Sequence, residues 1–196
     1  FSSGDRLKQS DLAWSLEQIA KHGAESFYGG ELGARIAKGI TEAGGYITEQ
    51  DLANYKTKQR NIISTNYRGH QVFTMPPPSS GGLALLQMLN MLSHYDLSEF
   101  PAGSADQLHL LAEVMKRGAA NRRGQVADPD FFDVPVKAFL DKELAIELAS
   151  EINLNKAQPT SEMQPTDFVM HEKELESRDT SHFSVMDDQG NAVSTT

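Results

Sequence analysis

Residues of strand character occupy only two short stretches of this 196-residue chain, one at 60–75 and one from 181 to the last residue, and everything else follows helical spacing or no period. In the first, Arg60 to Asn66 and His70 to Met75 are rich in Ile, Thr, Val, Tyr and Phe, and Tyr67-Arg68-Gly69 between them reads as a hairpin turn. Pro76-Pro77-Pro78 ends it, because proline cannot donate to a ladder. In the second, Ser181 to Met186 alternates, Asp187-Asp188-Gln189-Gly190 turns, and Asn191 to Thr196 begins a return strand. The fold class expected is therefore α+β, mostly helical with short strands. Two strands alone are marginal in water and expose pairing edges. The terminal hairpin thus reads as the start of a larger sheet, and the chain as a fragment.

Glycine punctuates the helical part. Ser10 or Asp11 is positioned to cap a helix with Leu12, Leu16, Ile19 and Ala20 on one face and Gly23 as its stop. A second helix follows Tyr28-Gly29-Gly30, carries Leu32, Ile36 and Ile40, and ends at Gly44-Gly45. Thr48-Glu49-Gln50-Asp51 has the form of a capping box opening a short helix through about Tyr55. After Ser79-Ser80-Gly81-Gly82 comes an apolar helix with Leu83, Leu86, Leu89 and Met91 or Leu92. Ser104 can cap a helix with Leu108, Leu111, Val114 and Met115, and the last helix, Lys142 to Ile152, carries Leu144, Ile146 and Leu148. From 153 to 179 periodicity vanishes, and the stretch reads as an exposed polar linker.

The length suits a chain able to bury a core, with about 1.3 domains as a soft expectation. Eighteen basic against 27 acidic residues give a net charge of −9, which repels phosphate backbones and argues against a nucleic-acid partner. No apolar run is long enough to span a membrane. The absence of cysteine removes disulfides, Cys-ligated zinc and thiol nucleophiles, and leaves the compartment open.

Few residues carry chemistry. The histidines at 22, 70, 94, 109, 171 and 182 include no i, i+4 pair; His171-Glu172 opens like a zinc-protease motif, but Leu175 stands where the second histidine belongs. No metal and no cofactor is expected. Ser79-Ser80-Gly81-Gly82 before a helix could cradle an anion, but helix capping after a polyproline bend explains it without a ligand. Asp128-Pro129-Asp130 offers paired carboxylates, though it is also good turn chemistry. No Gly-x-Ser-x-Gly elbow occurs. That leaves Asp179-Thr180-Ser181-His182-Phe183-Ser184, which joins the linker to the terminal hairpin. A hydroxyl needs an adjacent base, and a threonine at a chain's first residue has one in its own α-amino group, with an ordinary pKa of about 7.7–8.0. Cleavage before Thr180 would create that arrangement, although threonine at the start of a strand is also commonplace.

The chain resembles the gamma-glutamyltranspeptidase family. The resemblance rests on Phe27-Tyr28-Gly29, Gly44-Gly45-Tyr46-Ile47-Thr48 with Asp51-Leu52, and Tyr67-Arg68-Gly69. Its most specific parts are Met75 through Gly82, Asp128-Pro129-Asp130-Phe131, and Thr180-Ser181-His182-Phe183-Ser184 with Asp188 to Val193. It implies part of an αββα N-terminal-nucleophile hydrolase fold, made as one precursor that cuts itself between Asp179 and Thr180. Residues 1–179 would be the C-terminal part of the large subunit and 180–196 the start of the small subunit. Thr180 would be the catalytic nucleophile, acting on glutathione or related γ-glutamyl compounds and passing the acyl group to water, an amino acid or a peptide. The implied partners are those substrates and the remainder of the two subunits, and the implied location is periplasmic or secreted. The family's substrate-binding arginine would lie before Phe1, and its second threonine, paired serines and oxyanion glycines beyond Thr196, so this stretch alone is expected to be inactive. A related N-terminal-threonine amidase, of the cephalosporin acylase or capsule transpeptidase type, is the alternative among enzymes. A non-processing homologue serving as a binding module is the alternative outside them.

Overall fold

The computed structural model describes residues 2–123, 125–166 and 181–195. The chain divides into two compact units, Phe1–Gln59 and Arg60–Thr196.

The first unit is helical: α1 (Ser10–His22), α2 (Glu25–Tyr28), α3 (Glu31–Glu42) and α4 (Glu49–Asn54). The residue before α1 is Gln9, whose side chain makes no cap bond, and Ser10 and Asp11 lie inside the first turn rather than ahead of it. The face expected to be apolar and covered is open, with Leu12, Leu16 and Ile19 all exposed. What ties α1 down is Trp14, whose ring carries the Arg35 guanidinium of α3 at 4.1 Å from its centroid. Helix α3 buries Leu32 and Ala37. Gly33 permits the close approach of α2, because a Cβ there would lie 2.2 Å from the Phe27 carbonyl oxygen. Thr48 and Asp51 form the reciprocal capping box at the start of α4.

The second unit opens with the hairpin β1 (Ile63–Tyr67) and β2 (His70–Thr74), in register Tyr67↔His70 through Ile63↔Thr74. Its two-residue turn puts Arg68 at φ 52° and Gly69 at φ 81°, the left-handed pair that matches the twist of a tight hairpin. Helix α5 (Ser80–Leu92) runs through the centre of the unit with Leu83, Leu86 and Met91 fully buried. Its start presses on the end of β2: a Cβ on Gly82 would lie 2.0 Å from the Met75 carbonyl oxygen. Asn90 of α5 accepts from the Thr65 hydroxyl at 2.7 Å and donates to the Leu140 carbonyl at 3.3 Å, joining hairpin, helix and a later loop.

Helix α6 (Ala105–Arg122) is capped by Ser104, which accepts from the Gln107 N–H, while Gln107 Oε1 accepts from the Gly103 N–H. Its buried stripe is Leu110, Glu113, Val114, Arg117 and Asn121, whereas Leu108 and Met115 are each 59% exposed. The helix is turned from the phase that its large apolar residues suggest, because three of the buried positions are polar and hydrogen-bonded. After the short α7 (Val136–Phe139), Asp141 caps α8 (Lys142–Ser150) by accepting from Glu143 N–H and Leu144 N–H. Here too the core face differs from the leucine count: Ala145 and Ala149 are buried and Ile146 is exposed. Small residues let α8 approach α5 closely. Met91, Leu92, Leu110, Val114, Ala145, Ala149 and Ile152 form the main core, and Leu83, Val126, Val134 and Phe139 a second cluster.

The described part of the stretch expected to be an exposed linker, 153–166, has mostly exposed side chains, but its backbone is anchored. Met163 is buried, Gln158 is bonded to Glu113, Lys116 and Arg117, and Thr166 is bonded to Asn121 and Gln125. The last elements are β3 (Phe183–Met186) and β4 (Ala192–Thr195), an antiparallel pair in register Phe183↔Thr195 to Met186↔Ala192.

Candidate active site

Strand side chains alternate, so one face of the β3–β4 hairpin carries Phe183, Val185, Val193 and Thr195 and the other carries Ser184, Met186, Ala192 and Ser194. Phe183 and Val185 share one face with Val193, and all three are exposed. Ser184 and Ser194 stand opposite each other on the other face, with hydroxyl oxygens 3.2 Å apart. His182, two residues before Ser184, brings its Nε2 to 3.2 Å from the Ser184 Oγ and 3.0 Å from the Ser194 Oγ. The result is an imidazole and two hydroxyls closed into a triangle across both strands. The loop between them is shaped by Asp187, whose carboxylate accepts from the N–H groups of Gln189 and Asn191 and from the Asn191 side chain. The Asn191 side chain and then its N–H hold the Asp187 carboxyl below the usual carboxylate range, so it stays ionised. Gly190 takes φ 85°, which completes the turn.

Thr180, and with it the Asp179–Thr180 bond, lies outside the described residues. His171 of the Glu172-containing run lies outside them as well. Among the described residues no group of three or more His, Asp or Glu is arranged to hold a metal ion. His109 bonds the Asn153 carbonyl through Nε2 at 2.9 Å.

The other candidates have structural work. Asp128 and Asp130 share Arg60, which donates at 3.1 Å and 2.6 Å respectively. The Asp130 hydrogen bond, above all, raises the Arg60 pKa further from neutrality. The Asp128 carbonyl also accepts from the N–H groups of Phe131 and Phe132, so the Asp-Pro-Asp run is a turn clamped by an arginine rather than an acid–base pair. Ser79 makes no side-chain cap bond, contrary to the capping expectation, and Ser80 Oγ accepts from Arg122 at 3.4 Å. The second glycine of that run serves the helix–strand contact described above, so nothing in it calls for an anion.

Two features give motif reasoning little to work with. Arg60 gives no local signal, since its partners are 68 and 70 positions away. The polar row Glu113, Arg117, Asn121, Gln125 does give one, a four-residue repeat of polar residues, but on a helix that pattern ordinarily marks the wet face.

All 196 residues match the gamma-glutamyltranspeptidase family. The chain belongs to this family. It is 45% identical over its whole length to the glutathione hydrolase proenzyme of Escherichia coli (strain K12). It is 41% identical, over 98% of its length, to the acylase ACY 1 proenzyme of Pseudomonas sp. (strain SE83). In each case it covers 33% of the relative, so the chain spans about a third of the curated proteins it matches. Among solved structures it superposes on Helicobacter pylori gamma-glutamyltranspeptidase with a TM-score of 0.75 and 36% identity, covering 89% of this chain and 52% of the other. On the Pseudomonas nitroreducens gamma-glutamyltranspeptidase complexed with L-DON the TM-score is 0.73 at 34% identity, covering 84% of this chain and 50% of the other. Its mixed, mostly helical α+β structure is thus part of the N-terminal-nucleophile hydrolase fold of the gamma-glutamyltranspeptidases.

Proposed function

We propose that the full protein of this gamma-glutamyltranspeptidase relative is a precursor that cuts itself between Asp179 and Thr180 and then uses Thr180 as its nucleophile. The supporting observation is the place of Thr180 in a chain that matches the family end to end: it shortly precedes a hairpin that brings His182, Ser184 and Ser194 together. In the cut, the Thr180 hydroxyl attacks the Asp179 carbonyl carbon, the amide C–N bond breaks, and the hydroxyl proton passes to the departing nitrogen. The resulting ester is hydrolysed by water, which leaves a carboxylate on Asp179 and a free amine on Thr180. That amine then serves as the base. It takes the Thr180 hydroxyl proton as the oxygen attacks a γ-glutamyl amide and returns it to the leaving amine. Water, an amino acid or a peptide resolves the acyl-enzyme, giving hydrolysis or transfer.

The substrate class proposed is γ-glutamyl amides such as glutathione, on the strength of relatives named glutathione hydrolase proenzymes. Residues 1–179 would close the large subunit and 180–196 open the small one, each completed by the rest of the protein. We place the protein in the periplasm or outside the cell, as expected of this bacterial family; among the described residues no helix is long and apolar enough to cross a membrane. The acylase relative favours a second reading, in which the same threonine accepts a different acyl group. The test is the full-length protein with Thr180→Ala, assayed for self-cleavage and for turnover of a γ-glutamyl anilide beside other acyl anilides. Loss of both cleavage and turnover supports the role of Thr180, and wild-type turnover by the variant refutes it. Preference for another acyl anilide would select the acylase reading.

A further inference from the structure

Side chains alternate along the hairpin β1–β2, so Ile63, Thr65 and Tyr67 share one face with Val72 and Thr74. That face meets the core: Thr65 is buried and bonded to Asn90 of α5, and Ile63 and Tyr67 pack against the two core clusters. The other face sets Asn66 opposite Gln71 near the turn and Ser64 opposite Phe73, and Ile62 and Met75 continue this register by one place at the open end. Its turn end is polar. Its open end is apolar and in water, with Ile62, Phe73 and Met75 exposed by 64%, 55% and 67%.

A fourth large apolar side chain is brought to the same end. Arg60, two residues before Ile62, donates to Asp130 at 2.6 Å, and Asp130 directly precedes Phe131, which is 90% exposed. The turn that carries Phe131 is fixed by its own bonds: the Asp128 carbonyl accepts from the Phe131 and Phe132 N–H groups, and the Asp128 carboxylate accepts from the Asp130 N–H at 3.0 Å. It sends Phe132 inward to the cluster around Phe139 and leaves Phe131 outside. The strand side is fixed too, because Gly82 of α5 lies close against the Met75 carbonyl. The Asp-Pro-Asp-Phe run thus acquires a use that no acid–base role supplied: it holds an aromatic ring in water beside an apolar strand end. Exposed apolar residues met singly need no explanation, but four gathered from three segments on a fixed base have the character of an interface.

We infer that the open end of the β1–β2 hairpin, with Phe131 as its anchor, is an interface covered by the same polypeptide outside these 196 residues. The length of chain to be placed favours that occupant: this stretch covers 33% of the glutathione hydrolase proenzyme of Escherichia coli, and 52% of the Helicobacter pylori chain it superposes on. A segment of the same polypeptide meets the patch at an effective concentration on the order of mM, ahead of any separate molecule. The surface that fits is apolar, with a recess for the Phe131 ring, because a fixed aromatic that enters a pocket carries more of an interface than the flat contacts around it. No cut at Thr180 is required, so the interface and the proposed function stand or fall separately.

Hydroxyl-radical footprinting of the wild-type full-length protein, read residue by residue by mass spectrometry, tests this without a substitution. The oxidation rates of Phe73, Met75 and Phe131 in the folded protein are compared with those of the same residues in its tryptic peptides. Covered side chains should oxidise at least about tenfold more slowly than in the peptides, as in the closed centre of an interface, and dilution by about a hundredfold should leave that protection unchanged. At the exposures seen here, oxidation within about threefold of the peptide rates marks an open surface and overturns the inference. Protection that disappears on dilution assigns the patch to a second copy and overturns it as well. Phe131→Asp, which would place a charge in the interface, should lower the urea midpoint of the full-length protein. An unchanged midpoint is what an open turn gives, and it contradicts the inference too.

Discussion

Glu113 shows how one residue's chemistry sets both stability and its dependence on pH. Burial by itself raises its pKa, but the hydrogen bonds from Lys116, Arg117 and the Gln158 N–H outweigh burial and hold the group below its ordinary value of 4.5. A carboxylate with a depressed folded pKa contributes stability that is complete above the unfolded value and is lost as pH falls through the folded one. Urea midpoints of the full-length protein should therefore fall below about pH 4.5, and Glu113→Gln should flatten that acid limb. Glu113→Ala leaves Arg117 buried without its ion partner, and we expect a loss of about 3–5 kcal/mol in urea unfolding at pH 7. An unchanged acid limb in Glu113→Gln would show that other carboxylates carry it. The i,i+3 and i,i+4 pairs with Lys116 and Arg117 are legible in the sequence, but their burial and the Gln158 bond are not, because such pairs ordinarily sit on a solvated face and Gln158 lies 45 positions downstream.

At the scale of elements, starts and stops are written locally and the buried faces are not. The Thr48 box, the Ser104 cap and the Arg68-Gly69 turn each depend on three or four neighbouring residues, and each stands where those residues place it. The phases of α6 and α8 depend instead on what packs against them, so counts of large apolar residues point to Leu108, Met115 and Ile146, which are exposed. At the open face of α1 the same reasoning finds no cover among the described residues. Gly82, in the first turn of α5, joins the two kinds of information: its sequence context suggests a cap, but its function is steric. Gly82→Ala must push α5 away from the Met75 carbonyl, since a Cβ there would sit 2.0 Å from that oxygen. We expect a cost of about 1–3 kcal/mol in urea unfolding, as for overpacked cores. Gly39 lies on α3, and a Cβ added there would meet nothing within 4 Å, so Gly39→Ala should be neutral or stabilising and serves as the control.

Across the whole molecule, the site is legible only through the order of its motifs. Threonine before a strand is too common to mark a nucleophile, and the cradle of His182, Ser184 and Ser194 needs the register of two strands to bring its members together. The ordered set of motifs from Phe27 to Val193 points to the family, and the match of all 196 residues to that family agrees with it. The structure adds a hairpin that brings His182, Ser184 and Ser194 together shortly after Thr180, and a polar row on α6 that anchors residues 158–166 before it. The central claim is the cut itself. Intact mass and N-terminal sequencing of the full-length protein after incubation at neutral pH test it most directly. Self-cleavage at this bond gives two chains, the smaller beginning at Thr180; a single uncut chain, or a smaller chain beginning elsewhere, contradicts it.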